Sequence, residues 1–365
     1  MAVPLFDTST PLEPLRPAIA QRLAAVLADG RFILGPEVEA FEGELAAYLG
    51  VAHVIGVANG TDALTIALRA MGVVPGDDVV VPSLTFYASA EAVVNAGARP
   101  VFCDVDRDTR NVTVETVRAA LTPRTTAVLA VDLFGLPAPA DELAQLGLPV
   151  LEDAAQAAGA RAGGRMAGAL GRAATFSFYP SKNLGAFGDG GAIATDDDEV
   201  AALARALRFH GSRDKQTFDY VGYNSRLDEV QAAILRVLLP HLDGWCDGRR
   251  AGARAYAEAG LGDHVALPVV PAGMSPAWHL YVVTHPRADK LLPALAAAGV
   301  QARSYYRRPL HEQPAMAPYV AGLGPLPATA ELAATNLALP ISPVFSAEQA
   351  REVVTALAAA LSADL

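Results

Sequence analysis

The sequence is poor in cysteine and in charge. Its 365 residues include two cysteines, Cys103 and Cys246, and charged residues make up 18% of the chain, below the roughly 25% of average globular proteins. The cysteines are far apart and neither has the spacing of a metal ligand. We therefore predict no disulfide framework, no metal site and a reducing, cytoplasmic environment, and we interpret both cysteines as structural.

The chain also lacks basic clusters and membrane-length apolar runs. Its 28 basic and 39 acidic residues give a formal charge of −11. This charge repels a phosphate backbone and no basic run offsets it, so nucleic acid is not an expected partner. The longest charge-free segment, 265–286, contains four prolines, and the N-terminus has no basic region followed by an apolar stretch. We expect neither a membrane span nor a secretory signal.

Apolar residues, in contrast, are abundant at 52% and are sufficient for a large core. Short runs rich in Val, Ile and Phe alternate with Ala- and Leu-rich stretches at helical spacing. The short runs are continuous rather than alternating, which favours a mostly parallel sheet buried on both faces. Strands are predicted at 54–57, 78–81, 99–104, 127–131, 150–152, 174–178 and 191–195. Helices are predicted at 61–71, 88–95, 114–121, 141–146, 200–208 and 227–239.

The pattern changes near Pro240, which is expected to end a helix. We predict a large α/β domain over residues 1–240, including an N-terminal arm, and a smaller α+β domain over 241–365. The second domain is predicted to contain helices at 241–260, 290–298 and 347–362 and a strand at 278–284.

The stretch SFYPSKNLGAFGDGG, from Ser177 to Gly191, follows a predicted strand and contains one lysine, Lys182. A lysine in a loop is usually a solvated cation. The alternative is a buried amine whose pKa is lowered by desolvation, which makes it a nucleophile able to form a Schiff base. The surrounding glycines favour close approach of the backbone to a ligand.

Carboxylates end another predicted strand, in VLEDAAQ (150–156). Asp153 could cap a following helix. It could also lie at the carboxyl edge of a parallel sheet, where α/β proteins bind ligands. A carboxylate there would suit pyridoxal 5′-phosphate (PLP), because it keeps the ring nitrogen of that cofactor protonated.

Three further stretches each have a structural and a functional interpretation. In ANGTDAL (58–64), Thr61 could cap a helix, or the helix N-terminus could bind phosphate. In PSLTFYASA (82–90), Phe86 could belong to the core or could lie against a ligand ring. In GYNSRLDE (222–229), Asn224 or its neighbour could cap a helix, or the polar side chains could bind phosphate.

These stretches, in this order, resemble the DegT/DnrJ/EryC1/StrS family of sugar aminotransferases. The similarity extends from GRFILGPEVEAFE (30–42) past PLHEQPA (309–315). It implies an α/β PLP-dependent transferase fold of type I, like aspartate aminotransferase, with a mostly parallel central sheet and a smaller C-terminal α+β domain. It also implies PLP as cofactor and a homodimer with a shared active site.

The resemblance also implies residue roles. Lys182 matches the lysine that holds PLP covalently and later moves protons. Asp153 matches the aspartate on the pyridine nitrogen, and Gln156 matches the residue beside the phenolic oxygen. Phe86 matches a ring stacked on the pyridine. The remaining matches are donors to the cofactor phosphate, with Asn224 reaching it from the neighbouring subunit: Gly60, Thr61, Ser177 and Asn224.

Substrate contacts are expected in the small domain, at Tyr306, Arg307, Arg308 and His311, and the two arginines could meet a nucleotide diphosphate. The expected reaction moves an amino group, with L-glutamate as donor, to a keto-sugar nucleotide such as a dTDP-3-keto-6-deoxyhexose. A 4-keto-sugar, a cyclitol ketone or an aminohydroxybenzoate precursor are alternatives within the family. A sugar dehydratase would lack the lysine, and a non-catalytic regulator with this fold is the alternative from another class.

Overall fold

The computed structural model describes residues 3–363. Its helices are α1 (Arg16–Asp29), α2 (Pro36–Leu49), α3 (Gly60–Ala70), α4 (Ala88–Asn95), α5 (Val114–Ala120), α6 (Ala140–Ala144), α7 (Asp198–Leu207), α8 (Glu229–Leu238), α9 (Leu242–Glu258), α10 (Ala288–Ala297), α11 (Pro327–Thr335) and α12 (Ala347–Ser362). Its strands are β1 (His53–Val57), β2 (Asp78–Pro82), β3 (Arg99–Cys103), β4 (Thr125–Val131), β5 (Val150–Asp153), β6 (Arg161–Ala162), β7 (Arg165–Met166), β8 (Ala173–Ser177), β9 (Gly191–Thr195), β10 (Met274–Ser275), β11 (Tyr281–Thr284) and β12 (Asn336–Leu339).

The central feature is a seven-stranded sheet with the strand order β1-β9-β8-β5-β4-β2-β3. β9 runs antiparallel to both of its neighbours, and the other pairs in the sheet are parallel. The predicted mostly parallel sheet is therefore confirmed. Strands such as β2 and β9 are buried along their whole length, which explains why their sequences are continuous apolar runs.

The predicted strands of the sheet agree with the observed ones to within two residues at each end. The predicted helix 347–362 coincides with α12, where Ser346 and Gln349 form a reciprocal capping box. The strand predicted at 278–284 begins only at Tyr281, because Trp278 has a φ of +46°, which is incompatible with an extended strand. Pro240 does end α8, but a single 3₁₀ turn leads directly into α9.

Helices α1, α2 and α11 and strand β12 were not predicted. α2 nevertheless carries ordinary boundary residues. Pro36 occupies its first turn, where the missing N–H costs nothing, and Gly50 follows it with a φ of +75°, the left-handed conformation in which glycine often ends helices. These two residues could have placed the helix from sequence.

The C-terminal part of the chain contains its own antiparallel pair, β11 with β12. Helices α9, α10 and α12 pack around this pair, and Tyr256, Val283, Leu291, Leu337 and Leu357 are buried together between them. The division of the chain into domains at residue 240 stays a prediction.

No helix within residues 3–363 has the length and apolar character needed to cross a bilayer.

Candidate active site

A cavity of about 1000 Å³ lies where several parallel strands of the large sheet end. β1, β2, β5 and β8 run in one direction, so the residues that follow them meet at one edge. The cavity lining includes eight of the residues singled out in the sequence: Gly60, Thr61, Phe86, Asp153, Gln156, Ser177, Lys182 and Tyr306.

Lys182 lies in the loop that joins β8 to the antiparallel β9, so both ends of the loop are held by one strand pair. The Lys182 N–H donates to the Tyr179 carbonyl at 2.8 Å. The side chain of the next residue, Asn183, is buried and donates to the Ala277 carbonyl at 2.8 Å. These bonds fix the backbone beneath the lysine while its side chain faces the cavity.

Desolvation lowers the pKa of Lys182 from 10.5 to about 8, and the nearby Asp153 carboxylate opposes part of this shift. Since an amine is nucleophilic only when unprotonated, a pKa of about 8 makes far more of this lysine reactive near neutral pH than an ordinary lysine. Lys182 is half-buried in the cavity wall. Of the two interpretations of this lysine, the geometry favours the desolvated nucleophile over the solvated cation.

We expect the cofactor-free protein to capture PLP at a rate that follows this titration. With the pKa at about 8, about a tenth of the Lys182 amines are unprotonated at pH 7 and about half at pH 8. The capture rate should rise about tenfold per pH unit below pH 8 and level off above it. Stopped-flow absorbance between pH 6 and pH 11 measures this rate. The reference is Nα-acetyl-lysine, whose side-chain amine is free and has an ordinary pKa. A rate that keeps rising in parallel with the reference would contradict a lowered pKa.

Asp153 ends β5 with its carboxylate buried, at 5% exposure. The Ser89 hydroxyl donates to Oδ2 at 3.0 Å, and the Ala155 N–H donates to Oδ1 at 3.2 Å. Burial raises the pKa of Asp153, and the two hydrogen bonds and Lys182 oppose that rise. A protonated ring nitrogen brought into the cavity would stabilise the carboxylate form, which is the environment the PLP pyridine requires. No helix follows Asp153 directly, so the capping interpretation is wrong.

Glu152 is adjacent in sequence but belongs to the opposite face of the sheet, because side chains alternate along a strand. Its carboxylate accepts backbone N–H groups of Gly168 and Leu170 at 2.7 and 2.9 Å. Burial raises its pKa, and that of the neighbouring Asp132 even more strongly. Glu152 therefore supports the sheet from behind the cavity.

The N-terminus of α3 forms an anion cradle beside Ser177. Asn59, not Thr61, caps this helix, since its Oδ1 accepts the Asp62 N–H at 2.8 Å. The N–H groups of Gly60 and Thr61 lack acceptors within the helix. A Cβ atom on Gly60 would come within 2.8 Å of the Ser177 Cβ. Only glycine lets the helix end approach the Ser177 hydroxyl this closely, and the arrangement suits a phosphate group.

Aromatic and amide groups form another part of the wall. The Phe86 ring is 56% exposed although it lines a cavity, so it is available to cover a flat ligand and does not belong to the core. Gln156 is buried. Its Oε1 accepts the Phe134 N–H at 2.9 Å, and its Nε2 donates to the Tyr306 hydroxyl at 3.3 Å. This second bond connects the sheet to the chain segment that carries Tyr306.

Four of the residues expected in the site do not line the cavity. Asn224 is exposed and pairs through its backbone with Phe209. Arg307 forms an ion pair with Asp289, and Arg308 is exposed. His311 lies 2.5 Å from the Ser83 hydroxyl through Nδ1.

Sequence reasoning missed several groups that the fold brings to the cavity. Ser89 is part of the same motif as Phe86, and its helical spacing from that residue could have identified it. Phe6, His279, Arg303 and Tyr305 also line the cavity. Tyr305 directly precedes the predicted Tyr306, whereas the other three come from chain segments with no motif of their own. Within residues 3–363, no cluster of three or more His, Cys, Asp or Glu side chains could hold a metal ion.

A sequence model of the DegT/DnrJ/EryC1/StrS aminotransferase family matches residues 14–358. The chain belongs to this family. It is 44% identical to a pleiotropic regulatory protein of Geobacillus stearothermophilus, with 98% of each chain covered. It is 45% identical to the dTDP-3-amino-3,4,6-trideoxy-alpha-D-glucose transaminase of Streptomyces venezuelae, with 97% of this chain and 95% of that one covered.

The three-dimensional fold of the chain is also similar to that of a solved aminotransferase structure. The crystal structure of S. venezuelae DesV matches the whole of this chain with a TM-score of 0.95 at 44% identity, and all of that chain is covered. The predicted type I fold is thereby confirmed, and the protein is a PLP-dependent aminotransferase. The lysine, buried carboxylate and anion cradle lie together in the cavity as such an enzyme requires.

Proposed function

We propose that this aminotransferase moves an amino group from L-glutamate to the keto group of a nucleotide-linked sugar. The observation that carries the proposal is the meeting of Lys182 and the buried Asp153 in one large cavity beside an anion cradle. A cavity of about 1000 Å³ is at the upper end of the usual range for ligand pockets. It has room for a bulky substrate above the cofactor. The names of relatives that act on dTDP- and UDP-linked amino sugars give further support.

The residues of the cavity fit PLP. Gly60, Thr61 and Ser177 would bind its phosphate, Asp153 would hold its ring nitrogen protonated, and Lys182 would hold it covalently. Phe86 would cover the ring, and Gln156 would lie beside the phenolic oxygen. When bound, PLP supplies an electron sink for the carbanion that forms on loss of the α-proton.

The reaction also needs a group that moves a proton, and Lys182 is suited to this role. Once displaced by the amino donor, its amine would take the α-proton of the donor. It would then pass this proton to the carbon atom that ends up bearing the amino group. A pKa of about 8 lets the same nitrogen act as base and then as acid near neutral pH.

We place the acceptor sugar against Tyr306, whose hydroxyl accepts a hydrogen bond from Gln156. Arg307 and Arg308 follow directly in the chain and are exposed. We assign them to the nucleotide diphosphate, because guanidinium groups bind phosphate oxygens in a bidentate way. His311 belongs to the same segment and remains a candidate contact, although Ser83 holds its ring.

The proposal is tested by following the two halves of the reaction separately. Addition of L-glutamate to the PLP-loaded enzyme should convert the visible absorbance to that of the cofactor's amine form, with release of 2-oxoglutarate. The amine form should then convert a 3-keto-dTDP-sugar into the amino sugar, detected by mass spectrometry. Reaction with a 4-keto-sugar nucleotide or a cyclitol ketone instead would transfer the assignment to that acceptor. No reaction with any keto-sugar nucleotide would refute the proposal.

Two alternatives predict different results. A sugar dehydratase of this family lacks the lysine, which this chain retains, and would release a deoxygenated product. A regulator is suggested by the names of two relatives, but a purely regulatory protein has no need of a desolvated lysine opposite a buried carboxylate. Failure to exchange amino groups with any donor would favour the regulator.

We further propose that the enzyme is a homodimer whose active sites are completed by the partner subunit. Exposed apolar side chains gather near the start of α8, where Phe32 and Ile33 lie beside residues 228 and 229. Phe187 is joined to Gln231 through its N–H. The segment 218–221, a few residues before α8 in the chain, carries three more exposed apolar side chains. Such patches mark protein interfaces, and Asn224 adjoins this one while lying outside its own chain's cavity.

This arrangement predicts complementation between two inactive variants. In Asn224→Asp a carboxylate would repel the cofactor phosphate, and in Lys182→Ala the nucleophile is lost. Mixed dimers would contain one intact site each. Random exchange of subunits should therefore restore about a quarter of wild-type activity, since half of the dimers are mixed and half of their sites are intact. Activity is measured after mild denaturation and refolding of the mixture. A mixture no more active than its parents would place Asn224 in its own subunit's site or in none.

A further inference from the structure

His279 lies at the cavity, and the cofactor assignment does not use it. Its side chain is 5% exposed and lines the cavity. Its Nδ1 is buried without a hydrogen-bond partner, and neither ring nitrogen bonds to another residue within 3–363. A neutral imidazole carries one donor and one acceptor, and buried polar groups of this kind are rarely left unpaired. The ring therefore has hydrogen-bonding capacity that no residue of the described chain uses, and a ligand in the cavity that it lines can use it.

The position of His279 is fixed by the turn that follows β4. The Ala277 N–H donates to the Gly135 carbonyl at 2.8 Å, and the Leu280 N–H faces the Phe134 carbonyl at 3.4 Å. A Cβ atom on Gly135, whose φ is +95°, would come within 2.9 Å of the backbone nitrogen of His279. The backbone is thus held on both sides of the histidine, and its ring is preorganised in the cavity wall.

The Phe6 ring packs against one face of the His279 imidazole. The two rings are stacked, with centroids 6.0 Å apart and an angle of 30° between their planes. The N-terminal segment that carries Phe6 is itself anchored, because the Leu5 N–H donates to the Gln301 side chain at 3.2 Å. The wall therefore combines a neutral polar ring with an apolar ring.

The charges around His279 decide what it can recognise. Lys182 and Arg249 both face it, and burial together with these two cations holds the pKa of His279 well below its usual value. A neutral imidazole does not offer a positive charge to a carboxylate, but it does exchange a hydrogen bond with a hydroxyl group. The polar groups of L-glutamate, one ammonium and two carboxylates, are all charged. A sugar presents hydroxyl groups beside C–H faces that pack on an aromatic ring.

We propose that His279 and Phe6 form the subsite for the acceptor's sugar ring, with His279 hydrogen-bonded to one of its hydroxyl groups. This inference rests on the proposed function and adds to it a residue that discriminates the acceptor from the amino donor. The groups that hold the cofactor come from other chain segments, so changes at His279 and Phe6 should leave them in place.

The test compares the two halves of the reaction in His279→Leu. Stopped-flow absorbance should show the L-glutamate half, started from the PLP-loaded enzyme, within about twofold of wild type. The keto-sugar half, started from the enzyme with the amine form of the cofactor, should be slowed by about 10- to 100-fold in kcat/KM. His279→Gln, which keeps a neutral hydrogen-bonding group, should recover part of the loss and guards against a folding defect in the leucine variant. Phe6→Ala should slow the same half, and His264→Leu, outside the cavity, should slow neither.

Sugar nucleotides that lack single hydroxyl groups identify the contact. For one of these analogues, wild type and His279→Leu should react at the same rate, because the bond is absent from both complexes. Equal slowing of both halves in His279→Leu would assign His279 to the cofactor or Lys182 and overturn the proposal, as would unchanged kinetics. If the wild type itself fails to aminate any keto-sugar nucleotide, the proposed function fails first, and the sugar subsite falls with it.

Discussion

Replacement of Lys182 by alanine is expected to reduce steady-state amino transfer by at least about 10³-fold, since one side chain provides both the nucleophile and the proton carrier. Lys182→Ala should still fold, because the hydrogen bonds of its loop are made by its backbone and by Asn183. The measurement is turnover with saturating donor and acceptor, accompanied by the absorbance of bound PLP. A small primary amine added to the assay should restore a fraction of the activity by carrying the proton.

The chain offers clean controls for this substitution because Lys182 is one of only three lysines. Lys215→Ala removes an exposed lysine that lies over the Phe209 ring and should leave turnover unchanged. Lys182→Arg keeps the positive charge but cannot lose its proton near neutral pH, and it should be as inactive as the alanine variant. Full multiple-turnover activity in Lys182→Ala would remove the lysine from the mechanism.

Replacement of Asp153 by asparagine is expected to lower kcat by roughly 10²–10³-fold, the usual cost of losing one preorganised electrostatic group. The amide keeps the size of the carboxylate, and its Oδ1 can still accept the Ala155 N–H, while its Nδ2 can donate to the Ser89 hydroxyl oxygen, which now acts as the acceptor. It has no negative charge with which to stabilise a protonated ring nitrogen, so PLP would bind but would accept electrons poorly. Single-turnover rates with L-glutamate measure this effect separately from PLP affinity.

Glu152→Gln is the matched control, because it makes the same change at the preceding residue of β5, whose side chain lies on the opposite face of the sheet. A glutamine can still accept from Leu170 and Gly171 through its one oxygen but loses the Gly168 bond. This loss lowers stability behind the sheet and does not touch the cavity, so turnover per folded molecule should be close to wild type. Ser89→Ala should give a smaller loss than Asp153→Asn, since it removes only one support of the carboxylate. Equal activity of Asp153→Asn and wild type would show that the carboxylate does not tune the cofactor.

The sheet and the cofactor side of the site could be predicted from sequence because both depend on local patterns. Asp153 and Ser177 each end a continuous apolar strand, and Lys182 follows the second within a short glycine-rich loop. Their meeting in space follows from the parallel strand order. His279 and Phe6 could not be found this way, because their contact joins residues 273 positions apart and neither lies in a motif. The cap of α3 was misassigned because Asn59 and Thr61 are both good capping residues, and the backbone conformation decides between them.

The loop that carries Lys182 and the segments that carry Phe6, His279 and Tyr306 come from different parts of the chain. The first is clamped between two strands of the large sheet, and Asn183 also bonds it to the Ala277 carbonyl. Substitutions of the Phe6, His279 or Tyr306 side chains that leave the backbone at Ala277 in place can therefore reshape the wall opposite the cofactor without moving the lysine. A protein built in this way can acquire a new sugar substrate through changes in these segments while its chemistry stays constant, and exchange of these segments between relatives is a direct route to altered amino sugars.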